Sequence, residues 1–245
     1  MIWELLFIFF IVLIGAFVQG ASGFGLGLVV MGFLPFILTV KESTLLVLSF
    51  LAATALIILF KNYRSVQLKG LMMFVVASFA GRIISFFVLT TYGELDILRI
   101  WLGIFLIALV VYLYFNNKRN VSLKKINKLV PISLGMLNGF FGGLFAVGGT
   151  FLVIYCLYLY KEDKHRYTAN VQIVTLITSS FSLLLHGVNG DFTLSFLFYF
   201  AIGIVSVIVG AVLGLRWFEK LPTYMIRTIA MILVLVAGLN LILFS

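Results

Sequence analysis

Arg82 is the one charged residue that lies well inside a long apolar stretch of this sequence. It follows Lys69 by 13 residues, which places it roughly 20 Å along a helix from that basic residue. If this apolar stretch crosses a membrane, a cation so far from its end is costly to bury in the bilayer and marks a functional position by default. Arg82 could attract an anion through charge-assisted hydrogen bonds. Two structural alternatives stay open: the side chain reaches toward the membrane surface, or it bonds to carbonyls of a broken helix.

Two glycine clusters are the second candidate for chemistry. A helix that begins at a glycine turn presents free amides and its positive dipole end, which together favour an anion. We therefore expect substrate contacts from Gly20, Ser22, Gly23 and Gly25 in the first cluster and from Gly142, Gly143, Gly148 and Gly149 in the second. Close packing of helices is the alternative explanation of the same glycines.

Four amide side chains lie near these clusters: Gln19, Asn138, Asn170 and Gln172. They could complete the hydrogen-bond shell of an oxyanion, or they could satisfy carbonyls freed by broken helices. The single cysteine, Cys156, makes a thiolate metal site improbable. The acidic residues flank the apolar runs, so the sequence predicts neither a metal, nor a cofactor, nor a carboxylate proton relay.

The elements that position these residues are predicted to be membrane helices. Hydrophobic residues make up 63% of the chain, charged residues 10%, and the mean hydropathy is +1.24. The net charge of +9 is assigned to cytoplasmic loops rather than to a nucleic-acid partner. Eight apolar runs follow one another at 3–40, 43–60, 70–91, 97–115, 131–160, 168–186, 192–214 and 224–244.

Two of the runs are too long for one crossing. A straight helix over 3–40 would measure about 57 Å, against a hydrocarbon core of about 30 Å, and both 3–40 and 131–160 are interrupted by a glycine cluster. If each run crossed once, Lys and Arg would divide evenly between the two faces. If both overlong runs turn back as hairpins, fourteen basic residues face the cytoplasm and two face outside. The sequence thus predicts two hairpins, either re-entrant or made of short tilted helices.

The chain then divides into two similar parts. Residues 1–115 form a hairpin and three spans, 116–130 form a basic cytoplasmic linker, and 131–245 repeat the first arrangement. Three crossings per half invert the halves and put both termini outside the cell membrane. Inverted repeats with broken helices are typical of secondary transporters, whose substrate binds where the repeats meet.

Two motifs also resemble a known family. GASGFGLGLVVMGFLP at 20–35 and GMLNGFFGGLFAVGGTFLV at 135–153 are similar to the duplicated signature of the TauE/SafE family of sulfite exporters. Stretches 168–187 and 202–216 agree as well, so the likeness covers nearly the whole chain. Departures are GLG and GGT in place of a triple glycine, and Tyr158 near the place corresponding to Pro35. The resemblance implies transport, most simply export, of sulfite, a sulfonate or a similar organosulfur anion.

We therefore expect a transporter of a small anion by alternating access, with the lipid bilayer as its other partner. Formation of a homo-oligomer stays open. One alternative is an anion channel. Another is an intramembrane serine protease, because GASG around Ser22 is similar to a protease motif and His186 could serve as the base. His186 precedes a polar turn and is expected to be a surface residue, so we do not expect an enzyme.

Overall fold

The computed structural model describes residues 2–116, 129–160, 163–217 and 223–243. These residues form ten α-helices: α1 (Ile2–Ser22), α2 (Leu26–Met31), α3 (Val40–Asn62), α4 (Met72–Tyr92), α5 (Asp96–Asn116), α6 (Leu129–Phe145), α7 (Gly149–Leu159), α8 (Lys164–Val188), α9 (Leu194–Trp217) and α10 (Thr223–Leu243). The predicted all-α architecture is confirmed over this part of the chain. Most of the predicted linker, 116–130, lies outside the described residues.

Several helices are long and apolar enough to cross a membrane. Within the described ranges there are five such helices, namely α1, α3 with the short 3-10 turn after it, α4, α8 and α9. The chain is therefore a polytopic membrane protein, as its hydropathy predicts. Apolar side chains such as Phe60, Val76 and Phe87 are largely exposed on the helix surfaces, where lipid would cover them.

Both overlong apolar runs are broken at their glycine clusters. The first break, residues 23–25, separates α1 from α2, and the second break, residues 146–148, separates α6 from α7. Gly23 and Gly25 have φ of 84° and 120°, and Ala146 has φ of 54°. A positive φ is incompatible with a right-handed α-helix, so the helices end at these residues. Glycine adopts such a conformation readily, whereas alanine rarely does. The helices on the two sides of the first break are unequal in length: α1 has 21 residues and α2 has six.

The loops gather at two ends of the helix bundle. At one end, here the Lys41 end, the Lys41 amide donates to the Gly93 carbonyl and the Lys41 ammonium pairs with Asp191. At the opposite end, here the Asn62 end, Asn62 bonds to His165. The backbone of residues 65–70 bonds there to Asn170, Tyr155 and Tyr160. The sequence predicts that the Lys41 end faces outside and the Asn62 end faces the cytoplasm.

The two breaks lie toward opposite ends of the bundle. Gly23 in the first break packs beside Thr168, in the second turn of α8 at the Asn62 end. Next to the second break, the Leu144 carbonyl accepts a hydrogen bond of 2.9 Å from Thr44, near the start of α3 at the Lys41 end. The two breaks are nevertheless linked, because the Ala146 carbonyl in the second break contacts the backbone of Gly27 in α2.

Small residues bring two helix pairs into close contact in the same way. A Cβ on Gly81 of α4 would strike the backbone of α6 at Met136 and Phe140. A Cβ on Gly210 of α9 would strike the backbone of α1 at Leu13 and Phe17. The two contacts on α1 lie 123 residues before the two on α6, so α1 packs on α9 in the register in which α6 packs on α4. Small residues permit such approach in lipid, where dispersion replaces the hydrophobic effect.

Candidate functional site

A small cavity lies between the two breaks, in the interior of the helix bundle. Its volume of about 30 Å³ is enough for one or two water-sized groups. Residues of both breaks line it, together with side chains from α3, α4 and α8. The lining is formed by Gln19, Gly23, Phe24, Gly25, Gly27, Leu28, Leu51, Arg82, Asn138, Ala146, Val147, Gly148, Gly149, Thr150, Val171, Thr175, Thr178 and Ser179.

Arg82 brings a charge into this cavity. Its side chain is only 4% exposed, and its guanidinium donates from Nη1 to Ser182 at 2.9 Å and from Nη2 to Thr178 at 3.4 Å. Both partners are neutral hydroxyls of α8. Arg82 therefore does not reach for the membrane surface, and it takes part in none of the ion pairs between described residues.

The guanidinium of Arg82 lies against Gly142 of α6. A Cβ on Gly142 would come within 2.8 Å of Nη2, so a larger residue there would displace the arginine. A Cβ on the neighbouring Gly143 would strike the Ser85 hydroxyl and would lie 3.2 Å from the Arg82 Cδ. These two glycines were predicted to touch substrate, but in this structure they make room for side chains of α4 and do not line the cavity.

Three polar groups of the cavity lack a hydrogen-bond partner among the described residues. They are Nε of Arg82, the Thr150 hydroxyl and the Ser179 hydroxyl. Thr150 is 1% exposed and Ser179 is fully buried. A buried donor without a partner is costly, so native structures satisfy such groups with water, an ion or a ligand. Three of them around one cavity that also holds a cation suit an oxyanion.

The first break is supported by a network of amides. Gln19 accepts from the Leu26 amide and donates to Gln172, and Gln172 donates to the Gly23 carbonyl at 2.7 Å. The Ser22 hydroxyl lies 2.7 Å from the Val18 carbonyl. These contacts satisfy backbone groups that the break frees, which is the structural alternative left open for the amides.

The predicted site residues separate into two groups. The cavity is lined by Gln19, Gly23, Gly25, Arg82, Asn138, Gly148 and Gly149. The predicted residues that do not line it are Gly20, Ser22, Gly142, Gly143, Asn170 and Gln172. Gly20 lies against Ala211 and Gly214 of α9, where an added Cβ would strike the Ala211 carbonyl. Asn170 lies at the Asn62 end, where it accepts from the Gln67 amide at 2.9 Å.

The hydroxyls of α8 and α7 were missed. Thr175, Thr178, Ser179 and Ser182 recur at intervals of three and four residues, which places them on one face of α8. Polar residues aligned on one face of an otherwise apolar span are the signal that could have identified this surface. Thr150 gives no such pattern, because it is a single hydroxyl in the first turn of α7.

The serine and histidine of the protease alternative are far apart. Ser22 adjoins the first break, which packs beside Thr168, and His186 is 18 residues further along α8, or about 27 Å. The prediction of a surface histidine is also wrong, since the His186 side chain is 1% exposed. The turn after α8 folds back, so that the Asp191 carboxylate lies 2.6 Å from Nδ1 of His186.

Asp191 forms the centre of a charged cluster at the Lys41 end. Its side chain is 6% exposed and pairs with the Lys41 ammonium at 2.9 Å. Burial raises the pKa of this carboxyl, but hydrogen bonds from Lys41, His186 and Asn189 outweigh burial and hold the pKa below its usual value. The cluster joins the start of α3 to the turn between α8 and α9.

Comparison with known proteins gives one match. The family model described as sulfite exporter TauE/SafE matches residues 7–241, which is nearly the whole chain. No curated protein and no solved structure matches the chain. The matched residues include both glycine clusters. The chain belongs to the TauE/SafE family of sulfite exporters, which are membrane transporters.

Proposed function

We propose that this family member exports a small sulfur-containing anion, such as sulfite or a sulfonate, and binds it at the cavity between the two breaks, which must widen from its volume of about 30 Å³ to admit the anion. The observation that carries the proposal is the buried Arg82 guanidinium, whose described partners are neutral and whose Nε is unpartnered. An anionic headgroup would supply both the missing charge and the missing acceptor. Charge-assisted bonds of this kind are about twice as strong as neutral ones.

The surrounding groups are suited to hold the headgroup in place. The Thr150 and Ser179 hydroxyls are free to donate to two further oxygens, and Asn138, whose amide donates to the Ser78 hydroxyl at 3.0 Å, also lines the cavity. Thr150 belongs to the first turn of α7, which holds its hydroxyl next to the second break. Apolar side chains on the remaining walls exclude water and strengthen these interactions.

We further propose that the two halves are inverted repeats and that transport proceeds by alternating access. The matching registers of α1 on α9 and α6 on α4 support the repeat. The placement of one break toward the Asn62 end and the other toward the Lys41 end supports the inversion. Rocking of one half against the other would open the cavity to each side in turn.

The proposal is tested with purified protein and Arg82→Gln. We expect sulfite and methanesulfonate to raise the unfolding temperature of the wild type by mass action. Loss of one charge-assisted contact of about 2 kcal/mol should weaken binding about 30-fold in Arg82→Gln. Arg64→Gln is the control, because Arg64 is exposed and lies over the Tyr63 ring at the Asn62 end.

Flux in proteoliposomes completes the test. A transporter gives efflux that saturates with anion concentration and is lost in Arg82→Gln, whereas a channel gives flux that rises in proportion to concentration. Equal binding and equal flux in Arg82→Gln and wild type would refute the proposed site.

A further inference from the structure

We infer that the cavity selects anions that carry a single negative charge, so that sulfite is bound as hydrogensulfite and dianions such as sulfate are rejected. The inference rests on the proposed function and specifies the charge of the transported species. It follows from a count of the charges that face the cavity.

Among the described residues that line the cavity, Arg82 is the only charged one. His186 lies one helical turn beyond Ser182, the hydroxyl that Arg82 contacts, and its ring is bonded to Asp191, which also pairs with Lys41. The Lys41, His186 and Asp191 cluster therefore neutralises itself at its own end of the bundle. One formal positive charge remains for the ligand.

The helix ends at the cavity add little net charge. At the second break, the carboxyl end of α6 and the amino end of α7 meet, and their partial charges have opposite sign. The first break joins the end of α1 to the start of α2 in the same way. Each break thus contributes one helix end of each sign, and the two contributions largely cancel.

A single anionic charge is therefore the charge that the cavity balances. A dianion would leave one negative charge uncompensated in an apolar interior, and burial of an unpaired charge carries a penalty large enough to lower affinity by at least about 100-fold. Sulfite changes between one and two negative charges near neutral pH, so its protonated form is the form that fits. A sulfonate carries one charge at every physiological pH.

The test compares anions of fixed charge by thermal shift on the full-length purified protein. At pH 8 we expect methanesulfonate to bind at least about 100-fold more tightly than sulfate. For sulfite, the apparent affinity should fall about tenfold per pH unit once most of the anion is doubly charged, because only the minor protonated form binds. The affinity for methanesulfonate over the same pH range controls for titration of the protein.

Arg82→Lys separates charge from geometry. Lysine keeps one positive charge but lacks the planar guanidinium. The affinity for both anions should therefore fall, while the preference for methanesulfonate over sulfate persists. Sulfate that binds as tightly as methanesulfonate, with binding lost in Arg82→Gln, would overturn the inference and leave the proposed site intact. Absence of binding by both anions, or binding unaffected by Arg82→Gln, would overturn the proposed function and this inference with it.

Discussion

The carbonyl oxygen of Ala146 occupies the place where a side chain on Gly27 would begin. Gly27 lies in the first turn of α2, and Ala146 lies in the second break, so this contact joins α2 to the second break. It also forms one wall of the cavity, because both residues line it. Close contact between two backbones explains a glycine that is not at a turn and has no positive φ.

Gly27→Ala should lower stability by about 1–3 kcal/mol, since the added methyl group would overlap backbone that cannot move aside without shifting a helix. The measurement is the thermal unfolding midpoint of purified protein in detergent. Gly149→Ala is the matched control, because no atom lies within 4 Å of the Cβ that it would add. Equal unfolding midpoints for the two variants would mean that the Ala146 carbonyl does not lie against Gly27.

The register of the helix pairs leads to a second prediction. Gly81→Ala and Gly210→Ala should destabilise the protein by similar amounts, because each methyl group would strike the backbone of the partner helix at equivalent positions. Each variant should cost at least about 1 kcal/mol. Val76→Ala and Val205→Ala, on exposed faces of the same two helices, should stay within about 0.5 kcal/mol of wild type. A large loss of stability in only one of Gly81→Ala and Gly210→Ala would contradict the proposal that the two helix pairs pack in the same way.

Much of the architecture could be predicted because the bilayer restricts what a chain can do. Apolar runs, glycine interruptions and the distribution of lysine and arginine indicate helices and breaks without any knowledge of packing. The lengths of the helices on the two sides of each break were not predictable, since the apolar run continues on both sides.

The site was harder to predict, because residue type does not reveal what a residue faces. Gly142 and Gly143 have the composition of a ligand-binding turn, yet they lie inside α6 and accommodate side chains of α4, Gly142 that of Arg82 and Gly143 chiefly that of Ser85. Asn170 was grouped with the amides near the breaks, but residues 65–67 fold over the start of α8 and occupy its side chain. Such long-range contacts leave no trace in periodicity.

The Asp191 cluster predicts a pH dependence of stability. Because the pKa of Asp191 is lower in the folded protein, its contribution is fully present above the pKa of the unfolded chain. That contribution is lost as the pH falls below about 4, through the folded value. The wild-type unfolding midpoint should therefore fall on acidification through this range, and the fall should be smaller in Asp191→Asn.

At neutral pH, Asp191→Asn should cost about 3 kcal/mol, because it leaves the Lys41 ammonium without its buried partner. Asp96→Asn is the control: Asp96 also pairs with a basic residue, Arg99, but its side chain is 76% exposed and the pair should contribute under about 1 kcal/mol. If both variants unfold at the wild-type temperature, the buried cluster does not hold α3 to the turn after α8.

The orientation of the two ends can be read from thiol labelling in intact cells. Val188 is 92% exposed at the Lys41 end, and Leu68 is 38% exposed in the loop at the Asn62 end. The native Cys156 is buried, so the wild type provides a low background. A membrane-impermeant thiol reagent should label Val188→Cys from outside and should reach Leu68→Cys only after the membrane is opened. Because the basic residues Lys61, Arg64 and Lys69 lie in or next to the loop at the Asn62 end, the opposite result would reverse the positive-inside assignment, and with it the predicted placement of both termini. Labelling of both variants from outside would contradict the assignment of these loops to opposite faces, on which the hairpins and the alternating-access mechanism depend.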